Sequence, residues 1–336
     1  MRSPTALQTA KPMQFVADDH ALDVDGSSLR TTTDPDIAAK AIAAETLDRI
    51  RVVLDSYPAD PIVLLSGGVD SILVAATAVA LGTTPRAITI VVDGETVDRA
   101  PAIAAAEALG LRHEVVVLSS SDVVSLAKSA VVALGVNELW EVAAAIPILA
   151  ASELIRRFSA ASPAPAAVLT GSGADAIFAG GRVIEHPIES AAANQALDEV
   201  VRTETGTNFV RDRLVPDFYE RLLGDDAQAL IHVFQTERFW QLAEQLAPPA
   251  LFGYVTGAAH DKLAVRLACE RLLPETAQHL AWTRKSPIQR SSGLFDALAD
   301  AARARAAQLP GATTYSNPLT EPMESVAVRL FLADLH

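Results

Sequence analysis

The chain has 336 residues, half of them apolar, and a formal net charge of −14. This length allows one large domain or two, and the apolar half is enough for a sizeable core. The acidic balance, without a block of lysine and arginine, argues against a nucleic acid or an anionic membrane as a partner. The single cysteine, Cys269, excludes an internal disulfide and a cysteine metal cluster. Its scarcity fits a cytoplasmic location, and we expect Cys269 to be a small buried apolar residue.

The N-terminal 30 residues contain no apolar segment long enough for a signal peptide. Two other apolar runs, 72–81 and 129–155, are too short or too interrupted by glutamates to span a bilayer, and we interpret them as buried helices. Residues 1–36 are polar and mixed, and they predict a loosely structured extension with a short strand at 13–16.

Strands and helices then alternate along the chain, with glycine or proline at many of the junctions. The predicted helices cover residues 36–57, 71–81, 100–109, 122–134 and 139–157, and the predicted strands cover 62–65, 87–92, 114–118 and 166–170. This alternation predicts an α/β fold, a parallel sheet with helices on both faces. Ligands bind such sheets at the carboxyl ends of the strands, where Ser66, Asp93 and Gly171 should share one edge.

The pattern changes after Gly181, and from residue 189 onward we find helical periodicity without a convincing buried strand. The sequence therefore predicts three parts: an N-terminal extension at 1–36, a nucleotide-binding domain at 37–185, and an all-helical lobe at 186–336 that completes the site.

The first glycine-rich loop follows the strand at 62–65 and opens the next helix. It contains Ser66, Gly67, Gly68, Asp70 and Ser71. Adjacent glycines let backbone N–H groups approach a ligand, and a helix N-terminus adds unpaired donors, so the loop predicts a phosphate site. The Asp70 carboxylate could hold Mg²⁺. Because the loop has no lysine, it is not a G-x-x-x-x-G-K-[ST] loop. It resembles the SGGxDS pyrophosphatase loop (PP-loop) of enzymes that cleave ATP to form adenylates.

A second glycine-rich loop, at 169–181, contains Gly171, Ser172, Asp175, Gly180 and Gly181. It resembles the GxGADxxxxGG loop of the asparagine synthetase C-terminal domain and of its relatives, the β-lactam and carbapenam synthetases. Three further stretches are similar to this family and occur in the same order: His260-Asp261-Lys262 through Arg266, Leu273-Pro274-Glu275, and Arg284-Lys285-Ser286-Pro287 with Gly293. The resemblance covers roughly residues 45–300.

The resemblance implies an adenine nucleotide alpha hydrolase-like fold that uses ATP and Mg²⁺. The loop at 66–71 would bind pyrophosphate, and main-chain groups of Leu64, Ile90 and Gly171 would hold the adenosine. Asp70 and Asp175, which follow two different strands, would share the metal. Lys262 and Lys285 would supply positive charge to the phosphates and to the transition state.

Simpler explanations stay open for several of these residues. Asp175 could cap a helix that begins near Ala176. Lys262 and Lys285 could be solvated surface residues. His113 is better explained as a structural residue near the sheet edge than as a catalytic base.

The acceptor half of the site departs from the family. Ser172, a candidate catalytic residue, lies where asparagine synthetases have an acidic residue and β-lactam synthetases a tyrosine, and a serine cannot replace that tyrosine. Only by chain order are Glu204 and Glu220 candidates for the glutamate partner. The 65 residues before Ser66 leave no room for a glutaminase domain and include no cysteine. We therefore expect the nitrogen to come from ammonia, an amine of the substrate, or a separate glutaminase.

These residues predict a ligase that adenylates a small-molecule or peptide carboxylate and transfers it to ammonia or an amine, releasing AMP and pyrophosphate, in specialised metabolism. Sulfur or nitrogen insertion into a nucleobase or tRNA would require cysteines and a basic surface. A non-catalytic nucleotide-binding subunit of another enzyme is the remaining alternative, but it would need neither the paired carboxylates nor the lysines.

Overall fold

The computed structural model describes residues 9–19, 27–94, 96–283 and 288–335. Five short strands form one parallel sheet, and four of them are the predicted ones. The strands are β1 (Ile62–Leu64), β2 (Arg86–Val92), β3 (Arg112–Leu118), β4 (Val168–Thr170) and β5 (Leu230–His232). Their spatial order is β3-β2-β1-β4-β5, so the direction of winding reverses between β1 and β4. In open α/β sheets this reversal opens a crevice at the carboxyl ends of the strands.

Helices cover both faces of the sheet, as the alternation predicts. The helices before β5 are α1 (Val16–Asp19), α2 (Pro35–Ser56), α3 (Val69–Ala80), α4 (Arg99–Ala108), α5 (Ser120–Leu134), α6 (Leu139–Ala160), α7 (Ala174–Ile177), α8 (Ala191–Asn208) and α9 (Phe218–Leu223). Those after it are α10 (Glu237–Gln245), α11 (Pro248–Leu251), α12 (Leu263–Leu272), α13 (Ile288–Ser291), α14 (Leu294–Ala307) and α15 (Met323–Asp334). Short 3-10 turns occupy Ser27–Leu29, Gly224–Ala229, Glu275–Trp282 and Pro318–Thr320.

Alternation along the strands separates two apolar cores. Val63, Leu169 and Ile231 face one core, in which α2, α3 and α12 contribute most of the helical side chains. Ile62 and Val168 face the other core, which packs against α5, α6 and α9. Because strand residues two apart share a face, β1, β2, β4 and β5 each contribute to both cores, whereas β3, at one edge of the sheet, contributes only to the second.

The prediction of an all-helical segment after residue 186 is wrong. β5 lies in this segment and pairs with β4 in parallel, with Leu230 opposite Val168. An antiparallel hairpin of β6 (Gly253–Val255) and β7 (Ala258–His260) follows it. The sequence does not predict β5 because the strand has only three residues and directly follows the 3-10 turn. It is too short to show an alternation of apolar and polar residues.

The described parts of the N-terminal segment, residues 9–19 and 27–36, contain short helical elements and pack on the rest of the chain. Residues 13–16 form no strand; α1 begins at Val16, whose side chain is buried. The backbone of this segment instead makes single hydrogen bonds beside β5, from His232 N–H to the Pro12 carbonyl and from Gln14 N–H to the Gln235 carbonyl. The buried Arg30 guanidinium donates to the carbonyls of Ala243 and Leu246.

Within the described ranges, no single helix is long and apolar enough to cross a membrane. α5 and α6 meet the criteria of length and composition only when they are taken together, and they are bent by 110° at their junction.

Candidate ATP and metal site

Hydrogen bonds of Ser66 and Ser71 stabilise the first glycine loop. The Ser71 hydroxyl donates to the Gly68 carbonyl (2.9 Å) and accepts from the Ser66 N–H (3.2 Å). Gly67 has φ +73, and a Cβ there would lie 2.9 Å from the Asp98 carbonyl oxygen and from the Ala102 nitrogen at the start of α4. Both the positive φ and this close approach require glycine. The loop therefore lies against one helix and opens another, α3, whose first-turn N–H groups face the crevice end of β1.

The second glycine loop touches the first at Gly171. A Cβ on Gly171 would lie 2.8 Å from the Ser71 nitrogen and 2.9 Å from the Asp70 Cβ, so only glycine allows the two loops to pass. β1 and β4 are neighbours in the sheet, and their loops meet directly above the switch point. This contact brings together two motifs that are about 100 residues apart in the sequence.

Lys262 joins the two loops through their carboxylates. Its Nζ lies 2.7 Å from Asp70 Oδ2 and 2.7 Å from Asp175 Oδ1. The lysine is buried (6% exposed), whereas the Asp175 side chain is 65% exposed. Burial opposes the ammonium charge, but the two carboxylates outweigh it and raise the pKa of Lys262 above its usual value. Asp70 and Asp175 thus converge on one cation.

This geometry decides between the explanations that the sequence leaves open for Asp175 and Lys262. Gly173, not Asp175, is the N-cap of α7, and the Asp175 carboxylate binds Lys262 instead of capping the helix. Lys262 is not a solvated surface residue. It precedes α12 with φ +49, a left-handed conformation that non-glycine residues rarely adopt.

The other predicted site residues include Leu64, Ile90, Ser172 and Lys285. Leu64 ends β1 opposite Ile88, and β2 continues beyond that pair, so Ile90 borders the first loop. Ser172 is exposed, and its N–H donates to Thr170 Oγ1 (3.3 Å). Lys285 lies outside the described residues. On its C-terminal side, the Ser292 carbonyl accepts from Val92 N–H at the end of β2 (2.9 Å).

Asp261 and Arg266 have positioning contacts that the sequence did not assign. Asp261 accepts from Gly181 N–H (2.6 Å) and from Arg266 Nη2 (2.9 Å). Arg266 Nη1 also donates to the Thr283 carbonyl (3.1 Å), immediately before the lysine segment. Burial alone would raise the pKa of Asp261, but the Gly181 N–H and Arg266 lower it. The sequence signal that could have identified these contacts is an aspartate directly before the lysine, with an arginine five residues after that aspartate.

His113 has the structural role that the sequence favours. Thr89 Oγ1 donates its proton to the Leu65 carbonyl (2.6 Å), so it accepts from His113 Nε2 (2.8 Å). Burial lowers the pKa of His113, which keeps the ring neutral. Cys269 is likewise buried as expected, and burial raises the pKa of its thiol.

A second group of polar side chains lies at the ends of β4 and β5. His232 Nδ1 lies 3.1 Å from Thr170 Oγ1, and the Tyr219 ring packs on His232 with 4.4 Å between centroids. Burial, with help from Arg49 and Arg213, lowers the pKa of His232 to about 3. His232 is therefore a neutral partner of Thr170, and sequence reasoning missed it because the two residues are 62 positions apart.

Glu204 and Glu220 have no hydrogen bond to Ser172 in the described part of the chain. Glu204 pairs with Arg182, just after the second glycine loop, and Glu220 is exposed on α9.

The carboxylate pair fits a magnesium ion shared with a nucleotide. Two carboxylate oxygens already lie around one ammonium, so the same groups can face a small hard cation. Among the described residues no cluster of three or more acidic, histidine or cysteine side chains could hold a metal. Two carboxylates suffice for Mg²⁺ when phosphate oxygens and water complete its shell.

The fold and this site define a nucleotide-binding α/β protein with a PP-loop at the switch point of its sheet. The family model described as asparagine synthase matches residues 60–248, more than half of the chain. The chain belongs to the asparagine synthase family, a family of ATP-dependent carbon–nitrogen ligases.

Solved structures that are similar to the chain include two synthetases. NMN synthetase from Francisella tularensis is 15% identical with a TM-score of 0.32, over 68% of this chain and 100% of that one. NAD+ synthetase from Burkholderia pseudomallei is 12% identical with a TM-score of 0.30, over 91% of this chain and 100% of that one. Neither likeness bears on the substrate. No curated protein matches the chain.

Proposed function

We propose that the protein adenylates a carboxylic acid with ATP and transfers the acyl group to ammonia or an amine, releasing AMP and pyrophosphate, in specialised metabolism. The observation that carries this proposal is the convergence of Asp70 and Asp175, from two glycine loops, on Lys262 within 2.7 Å. Two carboxylates and a lysine beside a phosphate loop suit a reaction whose leaving group is pyrophosphate.

Each of the chain's own groups has a defined task in this proposal. The N–H groups of residues 66–71 would bind the pyrophosphate, and Lys262 would turn from the carboxylates to the phosphates. Asp70 and Asp175 would hold Mg²⁺, which supplies charge neutralisation to the phosphates when it is bound. Lys285 would stabilise the charge that develops at the reacting centre. Leu64, Ile90 and Gly171 would hold the adenosine through their main chain.

The reaction class can be tested with labelled pyrophosphate. In the presence of Mg²⁺ and a panel of carboxylic acids, we expect acid-dependent exchange of pyrophosphate into ATP, and AMP rather than ADP as the product once ammonia is added. Asp175→Asn should lower the exchange rate by about 100-fold or more, because it removes one of the two carboxylates that would hold the metal against the phosphates in the transition state.

The matched control is Asp300→Asn, which removes an exposed carboxylate that pairs with its helix neighbour Arg303 on α14. Its exchange rate should equal that of the unaltered chain. ADP and phosphate as products would refute adenylation. ATP binding without turnover of any acid would favour the alternative, a nucleotide-binding partner subunit.

A further inference from the structure

The helix α15 packs on α14 with one side and leaves the opposite side exposed. Val326 is fully buried on the packed side. At about 3.6 residues per turn, four apolar residues lie on the other side of the helix, and each is more than half exposed: Val328, Phe331, Leu332 and Leu335. These four residues, the α15 stripe, have the spacing of a helix face that packs on a second helix.

The loop before α15 adds to this apolar surface. Arg329 on α15 donates to Glu321 Oε2 (2.7 Å) and to Ser316 Oγ, so the loop lies beside the helix. Tyr315, next to Ser316 in the chain, is 99% exposed, and Leu319 in the same loop is more than half exposed. The apolar surface therefore continues from the α15 stripe onto the loop.

The exposed apolar area is close to what a dimer needs. A large apolar side chain offers about 150–250 Å² when it is an aromatic one and fully exposed, and less when it is aliphatic or partly covered. The α15 stripe with Tyr315 and Leu319 thus offers about 600 Å² in each copy, against the roughly 800 Å² that each partner buries in a stable interface of standard size. Apolar patches of this area mark interaction sites more often than they remain exposed to water.

The charges around the α15 stripe disfavour a lipid surface as its partner. Arg329 is the one charged residue between positions 325 and 333 of the sequence, and it already pairs with Glu321. Helices that lie on membranes usually carry several lysines and arginines on the polar face. Here the flanking charges are those of Glu324 and Asp334, and the chain has a net charge of −14. An anionic membrane would repel this surface, whereas a second uncharged stripe can bury it.

The α15 stripe is complementary to itself under a two-fold rotation. Val328 and Leu335 form its ends, and Phe331 and Leu332 form its centre. A two-fold axis through that centre would place Val328 of one copy against Leu335 of the other, and Phe331 beside its own counterpart. Two-fold contacts are the commonest interfaces between identical chains. We propose that a second copy of this chain covers the α15 stripe, which gives a dimer held by two antiparallel α15 helices.

Sedimentation velocity of the full chain at several concentrations tests the dimer. An interface at the small end of the size range is typical of weak association, so we expect a Kd of the order of 10 μM, with mostly monomer at about 1 μM and mostly dimer at about 200 μM. Phe331→Glu places a carboxylate beside its own counterpart at the two-fold axis and should raise the Kd about 30-fold or more. Ile37→Glu, at a similarly exposed position in the first turn of α2, is the matched control and should leave the Kd unchanged. Added NaCl should not weaken the dimer, because it screens the repulsion between two chains of net charge −14.

Disulfide trapping locates the contact without changing its charge. Cys269 is the single cysteine of the chain and is buried, so an introduced surface cysteine is the accessible thiol. Leu332→Cys, at the centre of the α15 stripe, should give disulfide-linked dimers under mild oxidation, because the two thiols lie close to the two-fold axis. Ile37→Cys should give no linked dimer at the same concentration.

A chain that remains monomeric at about 200 μM would overturn the proposed dimer. A dimer that Phe331→Glu leaves intact, or that Leu332→Cys does not trap, would show that the copies meet through another surface and would overturn it too. Binding of the unaltered chain to phosphatidylcholine vesicles without self-association would assign the α15 stripe to a lipid surface instead.

Discussion

Among individual residue contacts, the one between Lys262 and the two carboxylates matters most for the site. One ammonium, with a single positive charge, contacts both the Asp70 and the Asp175 carboxylates. In the proposed ATP complex, a metal would take the place of the lysine at the same pair of carboxylates. Gly180 makes room for the Asp175 carboxylate, since a Cβ on Gly180 would overlap with Asp175 Oδ1.

Removing the ammonium should make the chain depend on a metal for part of its stability. Lys262→Met leaves two carboxylates facing each other, and we expect the free energy of unfolding to fall by about 1–3 kcal/mol, less than for a fully buried pair because Asp175 is exposed. Millimolar Mg²⁺ without ATP should raise the melting temperature of the variant and raise that of the unaltered chain much less.

Thermal unfolding with and without Mg²⁺ measures this difference. Lys128→Met removes an exposed lysine on α5 and is the control, with no metal effect expected beyond that of the unaltered chain. An equal Mg²⁺ shift in all three proteins would show that Lys262 and the metal do not compete.

At the level of elements, the start of α12 positions two loops at once. Asp261 holds the Gly181 end of the second glycine loop, and Arg266 holds the carbonyl of Thr283 before the lysine segment. Both side chains belong to one turn of the chain, so a change at Asp261 should loosen both loops. This turn is a scaffold for the site rather than a group that touches substrate.

Asp261→Asn should lower the free energy of unfolding by about 1–3 kcal/mol at neutral pH, because it weakens two charge-assisted hydrogen bonds. The pKa of Asp261 is below its ordinary 3.8 in the folded chain, so the unfolded chain takes up a proton first. The stabilisation is thus fully present above about pH 4 and is lost as the pH falls through the folded pKa.

Denaturant unfolding of both proteins between pH 7 and pH 3 checks this expectation. The difference in free energy should shrink as the pH falls, whereas Asp300→Asn should differ little from the unaltered chain throughout. A difference that grows toward low pH would contradict the hydrogen-bonding role of Asp261.

The elements that the sequence predicts well are those with a strong local signal. α2 follows Asp34, an N-cap that accepts from Asp36 and Ile37, and glycine follows the end of α3. Burial along α2 does not follow polarity: Ile37 is 58% exposed, while Arg49 is fully buried on the core side of the helix. Local periodicity locates a helix, but tertiary packing decides which side chains it buries.

The residues of the site also divide into those that a short motif predicts and those whose contacts depend on tertiary packing. Asp70, Asp175 and Lys262 were predictable because each lies in a motif that occurs in a fixed order along the chain. The pairing of Arg266 with Thr283, and of Thr170 with His232, depends on where β5 and α12 pack. No short stretch of sequence carries that information.

For the whole molecule, the segment after residue 185 is part of the sheet and of its core. β5 completes the sheet beside β4, and α12 contributes Ala264, Ala268 and Cys269 to the same apolar core as α2 and α3. Lys262, which completes the site, also comes from this segment. The predicted boundary at 185 stays a prediction, and it can be tested as a boundary between units that fold separately.

A chain truncated after residue 185 should fail to fold cooperatively. Without β5 and α12 the apolar side of β4, α2 and α3 would face water, at a cost of about 25 cal/mol for each Å² of apolar surface left exposed. This loss exceeds the few kcal/mol of stability that a domain normally has. We expect a broad thermal transition and dye binding typical of exposed apolar surface, with no stabilisation by Mg²⁺ and ATP.

A shorter truncation after residue 322 is the control: it removes α15, in which only Val326 is buried, and should unfold cooperatively. A sharp, ATP-sensitive transition in the chain ending at 185 would instead mean that the nucleotide-binding unit folds alone.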